Sequence, residues 1–300
     1  MFSFSLAVWL IVLDDDQLIV RHDGRDVLAY QVAMKSPPDE ITKPVAGDGF
    51  LHPVRTPSGA IVTDDFPPDH PHQHGLFYAW TKTTFRGHRV DFWNTHKGLG
   101  RVEHRELISS KRGRQFTVGL DHVDLTGNER VVAMQERREY AVSYVDQPRP
   151  AYFIDVSSTL EAATDDPVTL EEYLYGGMAC RGARGWTIDA GHRFATADGD
   201  DRAKLNHTSQ RWVASTGPVD GQPRTIALLS HPGNVRSPQP VRLHPEMPYF
   251  VFSPTVNEPL VVSKDQPLVQ RYRYIVHDGE PSVDELEAWT DEFAKLPAAK

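Results

Sequence analysis

Apolar and polar residues alternate regularly in the longest segments of this sequence. Residues 131–145 place Tyr140, Val142 and Tyr144 at every second position, and residues 151–160 repeat the pattern. Successive side chains of a β-strand point to opposite faces, so a period of two indicates sheets with one face turned inward. A chain with several such segments must pack one sheet on another.

Shorter β patterns recur along almost the whole chain, with turn-forming residues between them. The further predicted strands are residues 17–21, 27–33, 76–81, 114–125, 170–175, 212–215, 225–230, 249–253, 260–262 and 268–276. The apolar residues 2–13 are predicted to be a strand or a start-site extension. They are too few to cross a bilayer, and they lack the basic start of an export signal.

The tail of the sequence has a helical pattern. Ser282 is a predicted N-cap with Glu285 three residues later, as in a capping box, and apolar residues follow at helical spacing. We therefore predict an all-β protein: a large antiparallel β-sandwich that forms a single domain over residues 1–300, with a C-terminal helix at about residues 282–296.

The net charge and the cysteine content restrict the classes of partner and the cellular compartment that we expect for this protein. The formal net charge of -9 argues against a nucleic-acid partner, because phosphate binding depends on clustered lysine and arginine. The single cysteine, Cys180, excludes an internal disulfide and fits a reducing compartment. No stretch reaches transmembrane length, so we expect a cytoplasmic protein without a membrane partner. The sequence lacks the nucleophile-elbow, P-loop and dinucleotide-binding motifs.

The candidate site is the segment Asp-Asp-Phe-Pro-Pro-Asp-His-Pro-His-Gln-His-Gly at residues 64–75. His70, His72 and His74 occur at every second position, directly after Asp69. On extended backbone the three imidazoles would share one face and converge on one space. We assign proton transfer to His72 and His74, and orientation of one imidazole to Asp69. The alternative is a hydrogen-bonded surface loop that is rich in histidine.

Polar or aromatic residues near predicted strand ends are further candidates, because burying a polar group alone is costly. The substrate-binding candidates are His52, Tyr78, Asp91, Trp93, Tyr175, Arg181 and His231. The guanidinium of Arg181 could clamp a pair of hydroxyls or a carboxylate. The aromatic residues could offer flat faces to a sugar ring, although they suit a core equally well.

The histidine segment is compatible with three kinds of function. Imidazoles could act as general acid and base on a sugar, because their pKa lies near neutrality. Alternatively, His70, His72 and His74 could bind a divalent metal that polarises a substrate or activates water. In the third alternative the segment only binds a carbohydrate. No other cofactor is predicted.

Several segments resemble a bacterial family of unknown function that carries the label "methane oxygenase PmoA". They are Phe-Leu-His-Pro at 50–53, Asp-His-Pro-His-Gln-His-Gly-Leu at 69–76, Val-Asp-Phe-Trp at 90–93 and Tyr-Arg-Tyr-Ile-Val-His-Asp-Gly at 272–279. His74 stands where this family usually has arginine, so a three-histidine metal site is not a family-wide expectation. The label implies a membrane subunit with long apolar helices, which this sequence lacks.

The layout of strands also resembles the galactose-mutarotase-like supersandwich, and this resemblance implies a sugar-sized cleft. Mutarotases use a histidine acid and a C-terminal glutamate base, and the glutamate has no clear counterpart here. We therefore predict a carbohydrate-active enzyme (an epimerase, lyase or hydrolase) that acts on a sugar or oxidised sugar. The alternatives are a non-catalytic carbohydrate-binding protein and a metal-dependent hydrolase or oxygenase.

Overall fold

The computed structural model describes residues 7–14, 16–43, 45–146 and 149–297. Its strands, numbered in chain order, are β1 (Trp9–Leu13), β2 (Gln17–His22), β3 (Arg25–Gln31), β4 (Leu51–Val54), β5 (Leu76–Ala79), β6 (Thr83–Phe85), β7 (His88–Val90), β8 (Gly100–Lys111), β9 (Gln115–Asp124), β10 (Val131–Val145), β11 (Ala151–Ala162), β12 (Val168–Leu170), β13 (Gly177–Arg181), β14 (Arg193–Thr196), β15 (Ser209–Gln210), β16 (Trp212–Val219), β17 (Gln222–Ser230), β18 (Gln239–Leu243), β19 (Tyr249–Phe252), β20 (Leu260–Val262) and β21 (Leu268–Asp278). The helices are a 3₁₀ turn (Thr95–Lys97), α1 (Arg202–Leu205) and α2 (Val283–Ala294).

The strands form three antiparallel sheets. The nine-stranded sheet has the order β1-β2-β3-β4-β5-β13-β19-β18-β15, and the eight-stranded sheet has the order β14-β16-β17-β21-β11-β10-β9-β8. A four-stranded sheet, β20-β12-β6-β7, completes the fold. The prediction of an all-β antiparallel sandwich with a C-terminal helix is therefore confirmed.

The alternation seen in the sequence sets which side chains enter the core. In the pairing of β10 with β11, Tyr140 lies opposite Val156 and Val142 lies opposite Ile154, and all four are buried. These residues belong to the main core, which packs between the two large sheets. The nine-stranded sheet contributes the alternate residues of β5, β13 and β19 to the same core.

Each large sheet also carries an apolar cluster on its outer face. On the eight-stranded sheet, Phe153 and Trp212 lie beneath α2 and contact Trp289 and Phe293 of that helix. On the nine-stranded sheet, the outer cluster is formed by Phe50, Phe77, Ala79, Trp93, Ala179, Met247, Tyr249 and Val251. This second cluster supports the candidate site described below.

Helix α2 begins at the predicted capping box. The Ser282 hydroxyl accepts a hydrogen bond from the Glu285 amide, and the Glu285 carboxylate accepts one from the Ser282 amide. Two amides at the start of the helix, which have no partner within it, are thereby satisfied.

Replacement of Ser282 by alanine is expected to lower the free energy of unfolding by about 1 kcal/mol, because it removes this cap. Urea denaturation followed by circular dichroism measures the change. The exposed Ser110 is the control, since within the described residues its side chain forms no hydrogen bond. An equal loss for Ser282→Ala and Ser110→Ala would contradict the role of the cap.

Two predicted segments differ from the structure. The strand expected at residues 170–175 ends at Leu170, and the chain then runs irregularly to Gly176 and Gly177, both of which have positive φ. Of the apolar segment 2–13, Trp9–Leu13 forms β1, and residues 2–6 lie outside the described residues. In the described part of the chain, no helix has both the length and the apolar character needed to cross a membrane.

Candidate functional site

A cleft of about 280 Å³ lies on the outer face of the nine-stranded sheet. Its lining residues are Lys43, Asp69, His70, His72, Gln73, Trp93, Asn94, His96, Tyr175, Arg242, His244 and Tyr249. The period of two along each strand explains which of its residues line the cleft. Val241 and Phe250 enter the main core, so Arg242 on β18 and Tyr249 on β19 face outward.

The histidine segment forms a turn rather than an extended strand. The Gln73 amide donates a hydrogen bond to the His70 carbonyl oxygen, and the His70 amide donates one to that of Pro67. This turn changes the direction of successive side chains between His70 and His74. His70 and His72 therefore line the cleft, whereas His74 does not. The expectation that all three imidazoles share one face is wrong for His74.

Two further histidines complete an imidazole cluster in the cleft. The ring centroids of His70 and His72 are 5.6 Å apart, and those of His72 and His96 are 4.8 Å apart. The ring of His244 lies 5.9 Å from that of His70. The four rings come from the histidine turn, the 3₁₀ turn and the end of β18. We call His70, His72, His96 and His244 the imidazole cluster.

The surroundings of the imidazole cluster favour uncharged rings. Burial lowers the pKa of His72 to about 3, and the neighbouring His96 and His70 act in the same direction. Burial, together with the charge of Arg242, lowers the pKa of His244 to about 4. Burial also lowers the pKa values of His70 and His96. A neutral imidazole has one donor and one acceptor nitrogen, so each ring of the cluster can both donate and accept a hydrogen bond near neutral pH.

Asp69 and Arg181 hold the histidine turn on the sheet. Arg181 on β13 donates hydrogen bonds of 2.9 Å to both carboxylate oxygens of Asp69 and one of 3.1 Å to Gln73 Oε1. Arg181 is almost fully buried. Its guanidinium therefore positions the turn, and the structure does not show it free to clamp a substrate. Likewise, Asp69 contacts Arg181 and the His70 amide rather than an imidazole nitrogen.

His74 lies in a separate, buried environment. Its Nδ1 donates a hydrogen bond of 2.7 Å to Asp65, which also accepts one of 2.7 Å from Lys35. The ring is stacked on Phe50 at 4.6 Å and meets the edge of Phe66 at 4.7 Å. Asp65 is thus the carboxylate that orients an imidazole, a role that sequence reasoning gave to Asp69.

A metal site at the three histidines of the segment has no geometric support. His72 and His74 both line a narrow cavity of about 40 Å³, but His70 is absent from it. Among the residues that the structure describes, no three or more His, Cys, Asp or Glu side chains are grouped so that they could hold a metal ion.

Three of the substrate-binding candidates lie at or below the cleft. Trp93 and Tyr175 line it, with ring centroids 5.4 Å apart. Asp91 is fully buried and accepts hydrogen bonds from the amides of Trp93 and Asn94 and from the ammonium of Lys97. Asp91 therefore shapes the chain that carries Trp93 and His96 and does not itself reach the cleft.

The other three candidates lie elsewhere. His52 on β4 is hydrogen-bonded to Thr63 at 2.9 Å, and Tyr78 is buried in the main core. His231 lies on the α2 side of the sandwich, where it contacts Arg271 and Phe293. The structure does not bring these three residues to the imidazole cluster. The sequence alone does not show which face of a sheet a polar residue at a strand end will occupy, because this depends on how the neighbouring strands pair.

Sequence reasoning missed several residues of the cleft. They are Lys43, Asn94, His96, Arg242, His244 and Tyr249. A signal was present for some of them. Arg242 is a charged residue between two apolar residues, Val241 and Leu243, that enter the core. His96 lies three residues after the apolar run that ends at Trp93.

A buried ion pair beneath the cleft connects the two large sheets. The guanidinium of Arg138 on β10 forms two hydrogen bonds of 2.7 Å with Glu136. It also donates to the carbonyl oxygens of Gly49 and Tyr78 at 3.0 and 3.4 Å. Burial alone would raise the pKa of Glu136, but Arg138 and His122 more than offset it and lower the pKa to about 2. The ion pair thus fixes the backbone of β5, which follows the histidine turn.

Stability is expected to fall as the pH is lowered from about 6.5 to about 4.5. Burial lowers the pKa of His52 to about 4 and those of His72 and His192 to about 3. In this window the unfolded chain binds protons at these histidines and the folded chain does not. Each contributes up to about 1.4 kcal/mol per pH unit. Burial raises the pKa of Asp48 to about 7. In this window the folded chain therefore binds a proton at Asp48 that the unfolded chain does not, which opposes the loss of stability.

Urea denaturation at several pH values measures this slope. The variant His72→Gln is expected to reduce it by about 1.4 kcal/mol per pH unit, because one titrating group is removed. A stability that stays constant between pH 6.5 and 4.5, or a slope unchanged in His72→Gln, would show that these imidazoles titrate normally.

Residues 17–291 match the profile of a family of unknown function (DUF6807), and the chain belongs to this family. No curated protein matches the sequence. The family assignment covers most of the chain but carries no activity.

Proposed function

We propose that this protein is a carbohydrate-active enzyme that uses the imidazole cluster for acid–base chemistry on a sugar or oxidised sugar. The observation that carries the proposal is the convergence of four histidine rings, with lowered pKa values, on one cleft. Perturbed titratable groups that meet in a cleft are typical of catalytic sites. We include in this proposal that the fold is related to the mutarotase-like supersandwich and that the chain is related to the PmoA-labelled family.

His72 is the best-placed residue for proton transfer. It lies between His70 and His96, it lines the cleft, and 9% of the residue is exposed. A neutral ring in this position can take a proton from a hydroxyl group or from a carbon next to a carbonyl group. His70 and His244 line the same cleft, with ring centroids 5.9 Å apart, and supply the second acid–base group of the proposal. Epimerisation, elimination and hydrolysis all use such a pair.

Aromatic residues define one wall of the cleft. The rings of Trp93 and Tyr249 are 6.0 Å apart, and Tyr175 continues the wall. Trp93 is almost fully buried, so it supports the wall rather than presenting an open face. Hydroxyl groups of a sugar would then be bound mainly by imidazoles, Asn94 and Tyr249.

The test is proton exchange catalysed by the wild-type protein. A panel of aldoses, uronic acids and keto sugars is incubated in D₂O, and ¹H NMR follows anomerisation, exchange of carbon-bound hydrogen and elimination. Acceleration of any of these for at least one compound is the expected result. Saturable binding of a sugar without acceleration of any reaction would overturn the proposal in favour of a non-catalytic binding protein.

A further inference from the structure

We propose that the substrate of the cleft is a sugar that carries a carboxylate, and that Arg242 and Lys43 bind this carboxylate. The inference depends on the proposed function for the sugar part of the ligand and adds the charge of the substrate. Neither residue is among those first expected from the sequence. Both line the cleft beside the imidazole cluster.

The charge balance of the cleft favours an anion. Its lining contains two cationic side chains, Lys43 and Arg242, and one carboxylate, that of Asp69. Both carboxylate oxygens of Asp69 already accept a hydrogen bond from Arg181. Within the described residues, neither Lys43 nor Arg242 forms an ion pair. The whole chain has a formal net charge of -9, so this positive cleft opposes the overall charge of the molecule.

Arg242 is held in a defined position. It lies on β18 opposite Val251 of β19, and its guanidinium lies over the ring of Tyr175 at 5.9 Å. One guanidinium nitrogen is 3.5 Å from Nε2 of His207. Guanidinium groups bind carboxylates through two parallel hydrogen bonds, and a preorganised group loses little freedom on binding.

Tyr249 supplies a second, independent indication of a ligand. The residue is 2% exposed, lines the cleft, and its hydroxyl has no hydrogen-bond partner in the part of the chain that the structure describes. Burial raises the pKa of Tyr249 far above its usual value, so the hydroxyl remains a donor. A buried donor without a partner is costly, and an oxygen-rich ligand would satisfy it.

The volume of the cleft and the backbone around it favour a sugar carboxylate over a sugar phosphate as the ligand. The cleft of about 280 Å³ is at the lower end of ligand pockets, as suits one sugar unit. Phosphate groups are commonly bound at the N-terminus of an α-helix or in a nest of backbone amides. Neither α1 nor α2 contributes a residue to the cleft lining as described. A carboxylate fits the available side chains better than a phosphate.

The experiment compares matched ligands by isothermal titration calorimetry. The probes are D-glucuronate and D-galacturonate, their neutral parents D-glucose and D-galactose, and glucose 6-phosphate. At least one uronate is expected to bind about tenfold or more tightly than its neutral parent, with an affinity that falls as NaCl is added. Equal affinities, tighter binding of glucose 6-phosphate, or no binding of either uronate would each overturn the inference.

Variants assign the effect to the two cations. Arg242→Gln is expected to weaken binding of the uronate about tenfold and to leave binding of the neutral sugar unchanged. Lys43→Gln should act in the same direction, and because Lys43 is exposed its replacement should leave the fold intact. The control is Arg89→Gln, because Arg89 is exposed on β7 outside the cleft. An unchanged uronate affinity in both Arg242→Gln and Lys43→Gln would contradict the assignment.

The outcomes separate this inference from the proposed function. A uronate that binds tightly but undergoes no reaction would support the charge preference and overturn the enzymatic proposal. A neutral sugar that binds and reacts as well as its uronate would do the opposite.

Discussion

Replacement of His72 by alanine is expected to lower the rate of the catalysed proton exchange by about 10²- to 10⁴-fold, the usual contribution of a positioned general acid or base. Affinity for the same compound should change far less, because the remaining members of the imidazole cluster still line the cleft. The rate is measured by ¹H NMR in D₂O with the most reactive compound of the panel, and affinity by calorimetry.

His88 provides the matched control for this variant. It is a half-exposed histidine on β7, hydrogen-bonded to Asp124 and outside the cleft lining. His88→Gln should retain the wild-type rate. A His72→Ala protein that binds the compound and reacts as fast as wild type would remove His72 from the mechanism.

Replacement of Arg138 by methionine is expected to lower the free energy of unfolding by about 3–5 kcal/mol. The residue is 1% exposed, and removal of its guanidinium leaves the Glu136 carboxylate buried without its main cation. The carbonyl oxygens of Gly49 and Tyr78 also lose a donor. Urea denaturation followed by tryptophan fluorescence measures the loss.

The double variant Glu136→Leu/Arg138→Met separates the charge effect from packing. An apolar pair of similar volume often replaces a buried ion pair without loss of stability. The double variant is therefore expected to be more stable than Arg138→Met alone. A loss below about 1 kcal/mol in Arg138→Met would mean that water or another cation reaches Glu136.

Local patterns were sufficient to predict most of the fold. The alternation over residues 131–145 matches β10, and the capping box at Ser282 marks the beginning of α2. Both signals are contained in short stretches, because side-chain period and cap geometry depend on neighbouring residues only. The predicted strand at residues 170–175 was wrong beyond Leu170, where β12 ends, and Tyr175 lines the cleft instead of pairing in a sheet.

The site was only partly accessible from the sequence. His70 and His72 were selected for their spacing, but the turn at His70–Gln73 removes His74 from the group. Asp69 and Arg181 are 112 residues apart, and only the pairing of β5 with β13 brings them together. The same holds for His244 and Arg242, which β18 places beside the histidine turn. Contacts between distant segments have no local signature.

An NMR titration of the histidine ring nitrogens in ¹⁵N-histidine-labelled protein tests whether the imidazole cluster forms one buried cleft. His72 is assigned from the spectrum of His72→Ala. The pKa of His72 is about 3, so its ring should remain neutral down to about pH 4. Addition of D-galacturonate or D-glucuronate should shift the signals of His70, His72 and His244 together. A His72 ring that titrates near pH 6.5, with no common response to either sugar, would contradict a shared buried cleft.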